Sequence, residues 1–218
     1  SAEVADGAHY SSIIKANFHG EPQYVQLMPE RLIGLSPADG RLLWDSPWPG
    51  RTAVIPTPIV DGNFVYATSG YGAGCQLFEI ASDHSVKPLY DERDTKVMKN
   101  HHGGVVKVGD HVYGHSDSVG WVCQDFKSGK QVWRERDALE KGAIGYADGM
   151  FYCLGEDTGD VVLIEASPEG WKEHGRFTLS PQTEQRAARG KIWTHPVIVN
   201  GKLYLRDQEL LFCFDVSE

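Results

Sequence analysis

The sequence predicts an all-β chain, a β-propeller of four-stranded antiparallel blades with about four and a half blades present. Three observations predict it. A short apolar segment, a two-residue turn and an aromatic-rich segment recur four times, with Asp61-Gly62, Gly109-Asp110, Asp148-Gly149 and Asn200-Gly201 in the turns. The glycines Gly62, Gly109, Gly149 and Gly201 recur at intervals of 40 to 52 residues, the length of one blade. A second hairpin follows most of the first ones, and its better copies end on Trp44 or Trp133.

Each blade is justified by its own stretch. Residues 8–52 open with "YSSIIKANFHGEPQYVQL", a degenerate copy with its turn near Gly20, and continue with "RLIGLSPADGRLLWD". Residues 53–98 hold "TPIVDGNFVYATSG" and the looser "CQLFEIASDHSVKPLYD". Residues 99–142 hold "GGVVKVGDHVYGHSD" and "GWVCQDFKSGKQVWRE", after which "RDALEKG" is the one place where a turn of helix is expected. Residues 143–190 hold "AIGYADGMFYCLGED" and "DVVLIEASPEGWKEHGRF", and residues 191–218 form an incomplete blade that stops at its third strand, "LLFCFDV". Asp-Gly and Asn-Gly turns supply the positive φ angles of two-residue hairpins, so each unit reads as antiparallel strands. A β-sandwich would accommodate the strands but leaves the repeat unexplained.

Composition narrows the function classes. Thirty acidic against 21 basic residues give a net charge of −9, which argues against a nucleic-acid partner. No apolar run is long enough for a transmembrane segment. The opening "SAEVADGAHY" lacks basic and apolar regions, so no signal peptide is expected in this chain. The four cysteines form no CxxC pair. Cys123, Cys153 and Cys213 lie in apolar runs, so free buried thiols are expected, with one disulfide or a reactive Cys75 as the alternatives.

The repeat, an apolar strand, an Asp-Gly turn, a Val-Tyr strand and then Leu-x-x-Asp-x-x-x-Gly-Lys-x-x-Trp, resembles the PQQ-like (quinoprotein-type) β-propeller repeat. "CQDFKSGKQVW" is its best copy and "LSPADGRLLW" a close one. The run as a whole is similar to the C-terminal part of longer, exported bacterial PQQ-binding-like β-propeller repeat proteins. The resemblance implies a ring of seven or eight blades, of which this chain supplies part. The rest would come from the remaining blades of a full-length chain or from a second copy. It also implies an extracytoplasmic setting, periplasmic or exported.

With the strands of a blade running up and down, the connections between blades and the turns between second and third strands fall on one face. Tyr10, Ser11, Arg51, Thr52, Glu156 and Asp157 are placed there. The ligand-binding candidates on that face are Tyr71, Asn100, His101, His102, Asp117, His195, Arg206 and Asp207. Four of the nine histidines lie between His101 and His115, yet one metal ion cannot take all four. His102 and His111 are separated by about 20 Å of hairpin at roughly 3.3 Å per residue. Counting back from the Gly109-Asp110 turn, Val108 should oppose His111, Gly104 should oppose His115 and His102 should oppose Asp117.

No metal site, no catalytic residue and no cofactor are expected in this chain. Quinone sites of the related dehydrogenases use vicinal cysteines, a stacking tryptophan and calcium-binding carboxylates. Here the cysteines are far apart, Trp44 and Trp133 are expected between blades, and Trp193 alone lies near a connection on the pocket face. "GEDTGD" is calcium-loop-like in composition only. The expected function is therefore a non-catalytic binding or scaffold module that presents a polar face to a protein or carbohydrate ligand. The alternative is an enzyme acting at the same face, of the quinone (PQQ)-dependent alcohol dehydrogenase type or a hydrolase or lyase.

Overall fold

The computed structural model describes residues 4–217. Residues 1–3, within the stretch expected to lack a signal peptide, and residue 218, the end of the expected domain, lie outside the described residues.

Among the described residues nineteen strands form five antiparallel sheets, four of four strands and one of three. The first sheet is β1 (Ile14–Phe18), β2 (Glu21–Leu27), β3 (Arg31–Leu35) and β4 (Leu42–Pro47). The second is β5 (Ile59–Asp61), β6 (Phe64–Ser69), β7 (Gly74–Ile80) and β8 (Val86–Pro88). The third is β9 (Val105–Val108), β10 (His111–Ser116), β11 (Gly120–Asp125) and β12 (Gln131–Glu135). The fourth is β13 (Gly142–Ala147), β14 (Met150–Gly155), β15 (Asp160–Glu165) and β16 (Glu173–Thr178). The fifth has only β17 (Val197–Val199), β18 (Lys202–Asp207) and β19 (Leu210–Asp215). In every sheet each strand pairs with its sequence neighbour, the up-and-down order of a propeller blade.

The turn chemistry explains the first hairpin of each blade. His19 and Gly20, Asp148 and Gly149, and Asn200 and Gly201 have positive φ at both central positions, as tight primed turns require. In the second blade the turn sits one residue later than expected: Asp61 pairs with Phe64, and the loop is Gly62-Asn63. The "RDALEKG" stretch is not helical; among the described residues the helical element is a 3₁₀ turn at Asp94–Lys96. No helix of the described residues is long and apolar enough to cross a membrane.

Four apolar cores lie between the five sheets, because alternate strand residues point to opposite neighbours. Val65 joins Phe18, Leu27 and Trp44 between the first and second blades. Its neighbour Tyr66 faces Met98, Val112 and Phe126 between the second and third. Tyr113, Trp121 and Phe151 fill the next gap, and Leu154, Leu203 and Leu205 the last. Cys75, Cys123 and Cys153 are buried, whereas Cys213 is exposed on β19, which no fourth strand covers among the described residues. Free buried thiols thus stand at three of the four positions, and Cys213 is the exception. Burial pushes the Cys75 thiol up, away from reactivity.

The repeat tryptophans dock as expected. Trp133 donates its Nε1–H to the Ser167 carbonyl of the next blade at 3.0 Å. Trp44 is buried above Gly34, where a Cβ would lie 2.1 Å from its ring, and donates to Gln23 Oε1 at 2.6 Å. Gln23 is fully buried. Gln23→Ala leaves the indole N–H without an acceptor and is expected to cost about 2 kcal/mol. A urea melt checks this: an unchanged midpoint would mean that water replaces the amide.

Candidate functional site

The connections on one face converge on a cavity of about 450 Å³, within the roughly 300–1,000 Å³ usual for ligand sites. Tyr10 comes from the segment before β1, and Ala53 and Ile55 from the link between the first two blades. Tyr71 stands on the β6–β7 turn, His101 and His102 precede β9, and Trp193 and His195 precede β17. Three of its rings are open to solvent: Tyr10 is 72 % exposed, Trp193 54 % and Tyr71 51 %.

The loop before β9 is built by hydrogen bonds that the sequence pattern does not reveal. Asn100 is buried, and its Nδ2 donates to the carbonyls of Gly104 and His115, both at 2.9 Å. This clasp folds residues 100–104 out of the ladder, which stops at Val105 opposite Gly114. Val108 does oppose His111. Gly104, with φ +76°, does not extend the pairing to His115, and Asp117 N–H bonds to the Lys99 carbonyl at 3.0 Å. His102 and Asp117 are therefore not opposed.

They have other partners. Asp117 pairs with Lys141 Nζ at 2.9 Å, and the same ammonium donates to His101 Nδ1 at 2.7 Å. An ammonium can only donate, so the His101 proton sits on Nε2. Burial, with the nearby charges of Lys141 and His102, lowers the His101 pKa and keeps its ring neutral at pH 7. His102 is buried, and its Nε2 bonds to Glu156 Oε2, a residue of the β14–β15 turn. Burial raises the Glu156 carboxyl, but the His102 hydrogen bond and the charges of His102, Lys141 and Lys191 outweigh it and hold the carboxyl below its usual range. His102 Nδ1 is buried without a partner.

His195 Nε2 donates to the His102 carbonyl at 2.6 Å, a bond that ties the third blade to the fifth. A carbonyl can only accept, so the proton is fixed on Nε2. Around this frame the rings pack on one another: Tyr71 edge to face on His101 at 4.7 Å, and His102 tilted against Trp193 at 6.0 Å. Tyr71 is held left-handed, at φ 55°. Ser118 and Gln208 share that conformation in the corresponding turns, so the repeat imposes it. The left-handed tyrosine costs about 1–2 kcal/mol and aims its ring across His101.

Of the eight candidates, Tyr71, His101, His102 and His195 meet at the cavity. Asp117 lies just outside it, beside Lys141. Asn100 is the clasp and does not line it. Arg206 is exposed and donates to the Gln208 carbonyl at 2.7 Å. Asp207 is buried and faces away, with Arg186 at 2.6 Å and the Thr183 N–H at 3.1 Å. Ile55 and Lys141 were missed; their signal was position in a link between blades. "GEDTGD" is taken up by Glu140, whose Oε1 accepts from the Asp157 and Thr158 N–H groups. Among the described residues no cluster of three or more His, Cys, Asp or Glu is placed to hold a metal ion.

Comparison with known proteins gives one family and three similar structures. The family described as outer membrane protein assembly factor BamB matches residues 2–135. BamB from Moraxella catarrhalis is similar in structure, with a TM-score of 0.68 at 13 % identity, over 98 % of this chain and 59 % of that one. The computationally designed protein Ika8 gives 0.62 at 13 %, over 99 % of this chain and 61 % of that one, and the designed Ika4 gives 0.51 at 15 %, over 76 % and 97 %. The chain thus spans about three fifths of the length of the first two. Among curated proteins, none matches.

Proposed function

The chain belongs to the family of the outer membrane protein assembly factor BamB, the PQQ-like β-propeller repeat proteins, and on that premise we propose that it is a non-catalytic binding or scaffold module whose ligand enters the aromatic pocket. The observation that carries this is the set of three solvent-open rings, Tyr10, Tyr71 and Trp193, around one cavity. Exposed aromatic surface gathered in a concave site is surface that a partner can bury. The hydrogen bonds that fix His101 and His195 pre-organise the pocket and reduce the ordering cost of binding.

The proposed setting is extracytoplasmic, a periplasmic location associated with the outer membrane, and the family's description supports it. Protein and carbohydrate are the ligand classes that suit the face. A further partner is suggested by β19, whose outer edge pairs with no strand among the described residues and carries an exposed Leu211. The remaining blades of a longer chain, or a second copy, would cover it. The acidic surface leaves nucleic acid aside.

Pyrroloquinoline quinone, the group for which the repeat is named, does not suit the residues present. It is a planar polycarboxylate, and the cavity lining has no lysine or arginine to meet its carboxylates. The four cysteines are all free. The proposal therefore includes no cofactor.

A ligand-observed NMR screen of short peptides, oligosaccharides and small carboxylic acids tests the reading. Binders that compete with one another and are lost in Trp193→Ala are expected. If no compound of any class binds in a Trp193-dependent way, the pocket is not a ligand site.

A further inference from the structure

We infer that the pocket takes an uncharged sugar ring, stacked on Trp193 and hydrogen-bonded by His101 and His195; this rests on the reading of the pocket as a ligand site and names the ligand. A pyranose is amphipathic in a particular way. Its two faces present C–H groups, and its rim carries hydroxyls that both donate and accept. The pocket has the complementary parts. Trp193, Tyr71 and Tyr10 offer aromatic faces to C–H groups, and Ile55 adds an aliphatic surface.

The polar groups are of matching kind. His101 is held as an Nε2–H donor by Lys141, and His195 is left with Nδ1 as its acceptor when it carries a single proton. A hydroxyl satisfies either atom, whereas a carboxylate would meet His195 Nδ1 lone pair against lone pair. The charged groups nearest the pocket already have partners: Lys141 pairs with Asp117, Lys191 with Asp157, and Glu156 is hydrogen-bonded to His102 Nε2. A charged ligand group would have to break one of these pairs to find a partner. The net charge of −9 adds repulsion against acidic glycans. A cavity of about 450 Å³ is compact, which fits one or two rings better than an extended peptide.

The test titrates the whole chain with maltohexaose, cellohexaose and N-acetylchitohexaose, with an acidic hexamer of galacturonate, and with a neutral hexapeptide. Calorimetry reads the affinity in every variant, and in the unsubstituted chain the emission of Trp193, the most exposed of the six tryptophans, reports occupancy as well. At least one neutral oligosaccharide is expected to bind and to shift that emission. Trp193→Ala should weaken it about tenfold or more, Trp193→Phe less, and Tyr146→Ala, outside the pocket lining, should leave it unchanged. If the peptide or the acidic hexamer binds in a Trp193-dependent way and no neutral sugar does, the sugar is wrong and the ligand site stands. If nothing binds at Trp193, both fall. Sugar binding that survives Trp193→Ala unchanged overturns the proposed location.

Discussion

Gly103→Ala is expected to destabilise the chain by about 3 kcal/mol and to disorganise the pocket in the same step. A Cβ on Gly103 would lie 1.8 Å from the Gly142 carbonyl oxygen, 2.8 Å from its carbon and 3.1 Å from the Ala143 Cα. All three are backbone atoms, so no side-chain rotation relieves the clash. Strand β13 cannot simply retreat, because a Cβ on Gly142 would itself lie 1.9 Å from the Leu154 oxygen of β14. The His102 loop is thus packed backbone to backbone on the fourth blade, and the Gly103 carbonyl accepts from Ile144 N–H at 3.1 Å. Pushing the two apart loses that bond and moves the His102 carbonyl that holds His195.

The comparison that isolates this effect is Gly175→Ala. Gly175 lies in β16, where an added Cβ would meet nothing within 4 Å and φ is not positive, so alanine there should be within about 0.5 kcal/mol of neutral. Equal urea midpoints for the two variants would show that the third and fourth blades are not in rigid backbone contact. A Gly103→Ala protein that melts early yet binds pocket ligands normally would separate the loop from the site.

The fold was legible because its signal is local. Asp-Gly and Asn-Gly turns specify hairpins within a few residues, and their recurrence specifies the blade. The face that carries the cavity was legible for the same reason: up-and-down strands settle which connections lie together, and Tyr71, His101, His102 and His195 line that cavity. Pairing across blades was not legible. His102 finds Glu156, 54 residues away, and His101 finds Lys141, 40 away, through contacts that have no period in the sequence. The Asn100 clasp defeats simple strand counting, since the ladder ends at Val105 and Gly104 never forms the expected pair with His115. Arg206 and Asp207 do not line the cavity for a different reason. Their position at a strand end placed them on the right face, but the buried Asp207 is claimed by Arg186 and Thr183 from an irregular segment.

Stability should fall by about 3 kcal/mol as the pH drops from 6.5 to 4, with His115 the principal cause. Burial pulls the His115 pKa down to about 4 from the ordinary 6.5, and the positive charges of Lys141 and His102 push the same way against Asp117 and Glu156. The ring lies edge-on to Trp121 at 5.6 Å, and its Nδ1 has no partner. Below pH 6.5 the unfolded chain binds a proton that the folded chain refuses until about pH 4. The unfolded state therefore binds more protons across that window, and stability is full above it and lost within it. Each pKa unit is worth about 1.4 kcal/mol, which sets the size of the drop. The lowered His101 pKa acts in the same direction, and Glu156, held below its usual range, adds its own loss toward lower pH. His115→Phe keeps a ring against Trp121 and removes the titration. Urea melts from pH 7.5 to 4.5 should show a much shallower slope for that variant, and parallel slopes would assign the acid sensitivity to other groups. Because Asn100 bonds the His115 carbonyl and Asp117 bonds Lys99, acid loosening at this strand end reaches the loop that carries His101 and His102. Ligand binding at the pocket should weaken over the same pH range, ahead of global unfolding, since the site is built on the part of the third blade that protonation disturbs first.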